Sequence, residues 1–364
     1  MLRLVFFFDI ALNFWYTLYA HVCNRAKKKI MKSSIKDIAK SAGVSHSTVS
    51  RALADNPLIA ESTRQRIHRL AQKMGYSPDA IARGLVTRRT HAIGVIVTSI
   101  ADPFVAEVVR GIEETAGNNH YLVFLGTSHN DPAREVNLVK AMREWRVDGV
   151  IVASSRVGSL YKPMLKEIGV PIIAINNEHE GTYIHSIAVD DVRSAELATR
   201  YLIEQGHRVI GHLQGPPDRV SSKNRLEGYR RALTKAKIKF DPSLVAQGNG
   251  RPESGSQVAR LLSHSPAPTA IFCYNDMTAI GVLSALKRCD VRVPADISLV
   301  GFDDIPFAMY VDPPLTTIHQ PKDEMGRQAM RMALALMNDA KSKVSNVVIQ
   351  GKLIARDSTI KHGS

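Results

Sequence analysis

Cysteine is scarce in this chain: Cys23, Cys273 and Cys289 are the only three in 364 residues. Three thiols without paired C-x-x-C spacing make neither a zinc site nor a disulfide framework, so a reducing cytoplasm is the expected compartment. The 13 histidines are scattered, with no H-x-x-x-H or H-E-x-x-H spacing that would put two imidazoles on one metal. A nucleophile elbow and a phosphate-gripping Walker loop are also missing, and Gly248-Asn-Gly250 is a lone G-x-G of little weight. No enzyme, cofactor or metal is expected from these absences. Acidic residues are short as well, 34 against 48 Lys and Arg, for a formal charge of +14. The deficit is concentrated: residues 1–91 hold 16 basic against 5 acidic residues, and the remainder is close to balance. A basic head on a nearly neutral body is the electrostatic footprint of a nucleic-acid-binding module joined to something else.

That head contains the most informative stretch, Ile35 to Ala54. Ser34 can cap a first helix, and Asp37 three residues later completes a capping box. Gly43 sits where the chain must turn, and Ser45 is a natural cap for a second helix. Ile35, Ile38 and Ala39 form one apolar face against which Val44, Val49 and Leu53 can pack. His46, Ser47, Ser50 and Arg51 are left pointing outward from the early second helix, which is the part that meets base edges in a helix-turn-helix. An outward polar face on a short helix is more often only solvated, so the stretch needs support from its surroundings. A third helix spans Ser62–Met74, with Gly75 past its end. Ser77 and Pro78 then open a further short helix, too short to be stable alone. It is either a linker or a helix that forms on a partner.

The residues I-K-D-I-A-x-x-A-G-V-S-x-x-T-V-S-R, followed by G-Y-x-P-x-A-x-A-R-x-L, resemble the lactose/galactose repressor (LacI/GalR) family of bacterial transcription regulators. The likeness runs from about Ser33 to Thr359. It implies a multi-domain chain: an all-α helix-turn-helix head with a hinge helix, then an α/β periplasmic-binding-protein-like core of two doubly wound parallel-sheet lobes. It also implies a DNA-contacting set of Ser34, Ile35, Lys36, Ser45, His46, Ser47, Thr48, Ser50 and Arg51, with Ala82 and Leu85 on the hinge helix. Leu85 matches the family's minor-groove wedge, the kind of apolar side chain that unstacks a base step. Arg51 can fork onto a guanine edge.

The body agrees with this outline. Apolar β-branched runs at Ala92–Val97, Tyr121–Leu125, Val150–Val152, Pro171–Ile175, Ile187–Val189, Val209–Leu213, Ala270–Cys273 and Ile297–Val300 alternate with helical stretches. Continuously apolar strands separated by helices predict parallel sheets buried on both faces. The expected domains are an extension at 1–30, the DNA-binding head at 31–76, hinge and linker at 77–91, and the effector-binding core at 92–364. Within the core, lobe one takes about 92–190 and 321–346, and lobe two about 191–318 and 347–364.

Ligands of open α/β sheets collect beyond the carboxyl ends of the strands. Asp102, Phe104, Asn176, Asn275 and Asp303 follow such ends, with Arg225 early in a helix after Gly215-Pro-Pro. Each has an ordinary reading too, since Asx residues cap helices and shape turns. By the resemblance, Arg225, Asn275 and Asp303 match the family's effector-binding arginine, the asparagine of its N-D pair and the first aspartate of its G-[FY]-D-D motif. Arg219 and Ser221 fall where purine-binding members keep polar contacts, and Gln320 ends the P-P-L-T-T-I-x-Q motif at the lobe crossover. The stacking aromatic of purine binders is missing from Gly248–Arg251, which leaves Phe104 as a platform and favours a sugar or sugar derivative.

Residues 1–30 depart from the family pattern. Met1–Val22 is strongly apolar and is followed by Arg25-Ala-Lys-Lys-Lys, as in a membrane anchor with a basic flank. Asp9, Arg3 and Asn13 oppose that reading, no small-residue cleavage site favours a signal peptide, and Met31 is the expected start. The expected partners are double-stranded operator DNA, a sugar-like effector and a second copy of the chain, as dimer or tetramer, without a stable membrane partner. The rival expectation is a solute-binding protein of a transport system, which shares a two-lobed body but has no use for Ile35–Leu85.

Overall fold

The computed structural model describes residues 33–76, 84, 89–155, 169–176, 185–339 and 341–363. It divides into two units, residues 1–83 and 84–364. In the first, α1 (Ile35–Ala42), α2 (His46–Leu53) and α3 (Glu61–Lys73) surround a small core. Ser34 Oγ accepts the Asp37 N–H at 3.3 Å, and Asp37 Oδ2 accepts the Ser34 N–H at 2.8 Å, so the box satisfies donors at both ends of the first turn. Gly43 ends α1 in the left-handed region at φ 64°, where a Cβ would be strained. Ile38, Val49, Ala52 and Ile67 are fully buried between the three helices, with Val44 and Leu53 packed against them. The third helix begins one residue before the expected Ser62 and has no side-chain cap; Glu61 supplies a negative charge at its first turn instead.

The second unit contains two parallel sheets. The first has strand order β11-β5-β4-β3-β1-β2, built from β1 (Ala92–Val97), β2 (Leu122–Thr127), β3 (Gly149–Ala153), β4 (Ile172–Ile175), β5 (Ser186–Val189) and β11 (Val347–Ile349). The second has order β7-β6-β8-β9, from β6 (Ile210–Gln214), β7 (Val245–Gln247), β8 (Ala270–Cys273) and β9 (Ser298–Val300). Strands β1, β3, β4, β8 and β9 are buried along their whole length, because helices cover both faces. Those around the first sheet include α4 (Pro103–Asn118), α5 (Pro132–Glu144) and α10 (Lys322–Asn338). Around the second lie α6 (Asp191–Glu204), α7 (Val220–Lys235), α8 (Val258–Leu262) and α9 (Asp276–Arg288).

The lobe boundary at 346/347 needs correction. Val347 pairs in parallel with Ile187 and Ile349 with Val189, so the first sheet keeps the chain through Ile349. The chain joins the second lobe from β12 (Lys352–Ile354), antiparallel to β10 (Thr317–His319), and Ser358 then bonds to Leu299 of β9. Three residues are too few to show a strand period, and the short apolar run Val347-Val348-Ile349 of β11 does not reveal which sheet it joins. The helix expected over Glu253–Ser263 is also divided, a 3-10 turn at Pro252–Gln257 leading into α8. Gly255 lies so close to α9 that an added Cβ would be 2.1 Å from the Gly281 carbonyl carbon, and this approach sets the local path.

Candidate functional site

On the first unit, His46, Ser47, Ser50 and Arg51 are exposed on α2, as are Lys36 and Ser34 on α1. Ser45 Oγ accepts the Thr48 N–H at 3.1 Å and lies 2.7 Å from Ser47 Oγ. Ser34 and Ser45 therefore work first as helix caps, and Ile35 and Thr48 are half-buried. An exposed row of a ring nitrogen, hydroxyls and a guanidinium can donate to and accept from base edges. Ala82 and Leu85 lie outside the described residues.

In the second unit, a cavity of about 500 Å³ opens at the carboxyl ends of both sheets. Asp102, Phe104, Asn176, Arg219, Ser221, Arg225, Asn275, Asp303 and Gln320 all line it. Strand ends and the N-terminal turns of α4 and α7 deliver them, and the chain turns sharply at the strand ends: Asn130 after β2, Ser154 after β3 and Asn176 after β4 all have positive φ.

Arg225 is the centre. Its Nε donates to Asp191 Oδ1 at 2.9 Å, one of its NH groups donates to the Tyr274 carbonyl at 2.5 Å, and Asp303 Oδ1 lies 3.7 Å away. The guanidinium also lies over the Phe302 and Tyr274 rings, 3.7 and 4.6 Å from their centroids. Burial works against its charge, but Asp191 and Asp303 more than offset that, and its pKa rises. Asp303 has φ 114°, a conformation that costs a non-glycine residue of the order of 1–3 kcal/mol and collects at functional sites. Its N–H donates to the Ile318 carbonyl at 2.8 Å, Gln320 Nε2 donates to its Oδ1 at 2.6 Å and Lys322 Nζ donates to its carbonyl at 2.6 Å. Burial pushes its carboxyl well above the usual range, although Arg225 pulls it back. Gln320 also lines the cavity, and its Oε1 is buried without a protein partner.

Other expected residues have structural duties. Asp102 caps α4 through the Phe104 N–H at 3.0 Å, and burial raises its pKa. Asn275 caps α9 through the Thr278 N–H at 2.9 Å, while its amide donates to the Gly250 carbonyl at 3.0 Å. Asn176 Oδ1 accepts the Val189 N–H at 3.2 Å. Arg219, at the start of α7, reaches across the cleft to the Asn130 side chain.

Asp191, Tyr274, Asn130 and Asn249 also line the cavity and were not anticipated. Phe104 is thus not the sole aromatic: Tyr274 adds a second ring, and its hydroxyl lies 2.9 Å from Ser221 Oγ. Its position directly before Asn275 at a strand end was the available signal. Arginine, paired carboxylates, amides and flat rings around one cavity suit a neutral polyhydroxylated or heterocyclic solute, since hydroxyls must both donate and accept.

A helix-turn-helix head preceding a two-lobed core with a polar interlobe cavity defines a DNA-binding regulator with a small-molecule site. Residues 34–79 match the model of bacterial regulatory proteins of the lacI family, and residues 199–359 match a periplasmic binding protein-like domain. The chain is 36% identical to the HTH-type transcriptional repressor CytR of Escherichia coli (strain K12), over 92% of this chain and 98% of that protein. Among solved structures, the lac repressor dimer bound to operator and the anti-inducer ONPF superimposes with a TM-score of 0.82 at 27% identity, covering 90% of this chain and 99% of that one. The transcriptional regulator CelR in complex with cellobiose gives a TM-score of 0.68 at 29% identity, covering 90% and 100%. The chain belongs to the LacI family: it is a DNA-binding transcriptional repressor with an effector-binding domain.

Proposed function

We propose that this repressor binds a pseudopalindromic operator as a homodimer and is switched by a sugar or sugar derivative held in the interlobe cavity. The carrying observation is the convergence of Arg225, Asp303 and Gln320 on one polar cavity. Vicinal hydroxyls would donate to the carboxylates while accepting from arginine and the amides. The cellobiose complex of CelR supports the same ligand class. Tyr274 and Phe104 bring aromatic rings to the same cavity, so a nucleoside is the second ligand class to test. Domain roles follow the sequence: head to residue 76, hinge and linker over 77–91, and core beyond, with Ala82 and Leu85 serving the operator centre. Two heads need two chains, and exposed Phe307, Met309 and Tyr310 offer apolar area for a second copy. A chain whose partner is chromosomal DNA works in the cytoplasm.

His46, Ser47 and Arg51 would read bases, with Ser34, Ile35, Lys36, Ser45, Thr48 and Ser50 positioning the head on phosphates. The test is selection of bound duplexes from a random library, followed by sequencing. A pseudopalindrome is expected, and Arg51→Ala should relax one position in each half-site, losing about 1–3 kcal/mol of discrimination. An unchanged sequence logo in that variant would refute the readout role.

A further inference from the structure

A second pocket, of about 360 Å³, lies on α6 and α7 beside the third passage of the chain between the lobes, and no part of it belongs to the effector cavity. Arg193, Glu196 and Arg200 share one face of α6 at i, i+3 and i+7. Lys235 from α7 pairs with Glu196, so the one carboxylate in the lining is already neutralised. Arg193 and Arg200 are exposed, and Arg200 Nε lies 3.5 Å from Glu204 Oε1, the one ion pair it makes among the described residues. The opposite wall is Gln350 and Gly351, between β11 of one lobe and β12 of the other.

That wall is firmly seated. The Gly351 N–H donates to Ser194 Oγ at 3.0 Å, and the Asp190 N–H donates to the Ile349 carbonyl at 2.8 Å. A Cβ on Gly351 would stand 2.5 Å from Ile318 Cγ2. The crossover strand, the second lobe's first helix and the basic pocket therefore form one contiguous structure. Two guanidiniums, whose forks match phosphate oxygens, line one pocket together with Gln350, an arrangement for a phosphoryl group. The volume admits a solute of phosphorylated-sugar size.

We propose that this pocket is a second, allosteric site for a small phosphorylated solute, gripped by Arg193 and Arg200 against the Gln350–Gly351 crossover. A ligand there touches both the second lobe and the strand leading to the first. It shifts the interlobe equilibrium by its differential affinity for the two arrangements, and effector binding must shift its own affinity equally in return.

Sodium pyrophosphate and inorganic phosphate serve as probes in calorimetric titrations of the full chain. Saturable pyrophosphate binding is expected, weakened about tenfold or more in an Arg193→Gln/Arg200→Gln double variant, since two charge-assisted contacts are lost. Arg219→Gln in the effector cleft and Arg51→Gln on the head should bind as the parent does. Pyrophosphate should also slow hydrogen exchange of the Gly351 amide, a local readout independent of affinity. Absence of saturable binding by either probe overturns the proposal. So does binding that survives in the double variant, is lost in Arg219→Gln or Arg51→Gln, or leaves Gly351 exchange unchanged.

Discussion

Arg225 is committed to two carboxylates before any ligand arrives. Truncating one member of a buried ion pair leaves the other charge uncompensated, which costs about 3–5 kcal/mol. Arg225→Ala should lower unfolding free energy in urea by about that amount and abolish the effector response. A variant of parental stability would show that the pairs contribute little. Asp276 beneath the site works through protonation. Burial pushes its carboxyl up to about 7, against the opposing bonds from Thr317 and the Ile305 N–H. Its ordinary value is 3.8, so between about 4 and 7 the folded chain holds a proton that the unfolded chain releases. Stability from this group is thus greatest at the acid end of that window and falls as pH rises, by up to about 1.4 kcal/mol per pH unit. Urea unfolding of Asp276→Asn across the window should lack that slope relative to the parent. Parallel profiles would show that Asp276 does not titrate there. The roles of Asp102, Asn176 and Asn275 as caps and turn formers were legible as alternatives, and their place at strand ends pointed to one cleft; the partners they meet there, such as the Val189 N–H and the Gly250 carbonyl, were not legible, because they come from distant segments.

Helix–helix approach decides the next scale. A Cβ at Gly228 of α7 would sit 2.2 Å from the Val192 carbonyl of α6, and one at Gly326 of α10 would sit 2.1 Å from the Val108 carbonyl of α4. Both clashes are with backbone, which cannot rotate aside. Gly228→Ala should therefore cost about 1–3 kcal/mol by overpacking, read as a lower denaturation midpoint, although alanine has the higher helix propensity. An unchanged or raised midpoint would mean that α6 and α7 separate freely. The helices themselves follow from capping and periodicity, whereas these glycines look like ordinary helix interruptions in the sequence. The short strands β7, β10, β11 and β12 were equally hidden, since three residues carry no period; of the three-residue strands among the described residues, only β9 was legible, through the Ile297–Val300 run.

At the scale of the molecule, charge and architecture divide the work. The excess of basic residues falls in 1–91, so operator affinity should drop steeply with salt. If six or more phosphates are neutralised, raising sodium chloride from about 50 to 200 mM should weaken binding about a thousandfold or more. A shallow slope in filter binding would assign the affinity to uncharged contacts instead. The small helical core around Ile38, Val49 and Ile67 is separate from the cores of the second unit. This permits the head to respond to a partner while the effector lobes remain folded.

The sequence by itself determined what depends on neighbours a few residues apart: the Ser34–Asp37 box, the Gly43 turn, the outward face of α2, the apolar strands and the family motif that joins them. Those are local propensities and spacings, and they need no knowledge of the rest of the chain. Tertiary structure decided which strand ends face one another, and with that the Arg225–Asp191–Asp303 cluster, the Arg219–Asn130 contact and Tyr274 as a second ring. It also placed Val347–Ile349 in the first sheet. Residues tens of positions apart, such as Arg225 and Asp191 or Arg219 and Asn130, meet only after both sheets have formed, so their juxtaposition belongs to packing and has no signature in the linear order.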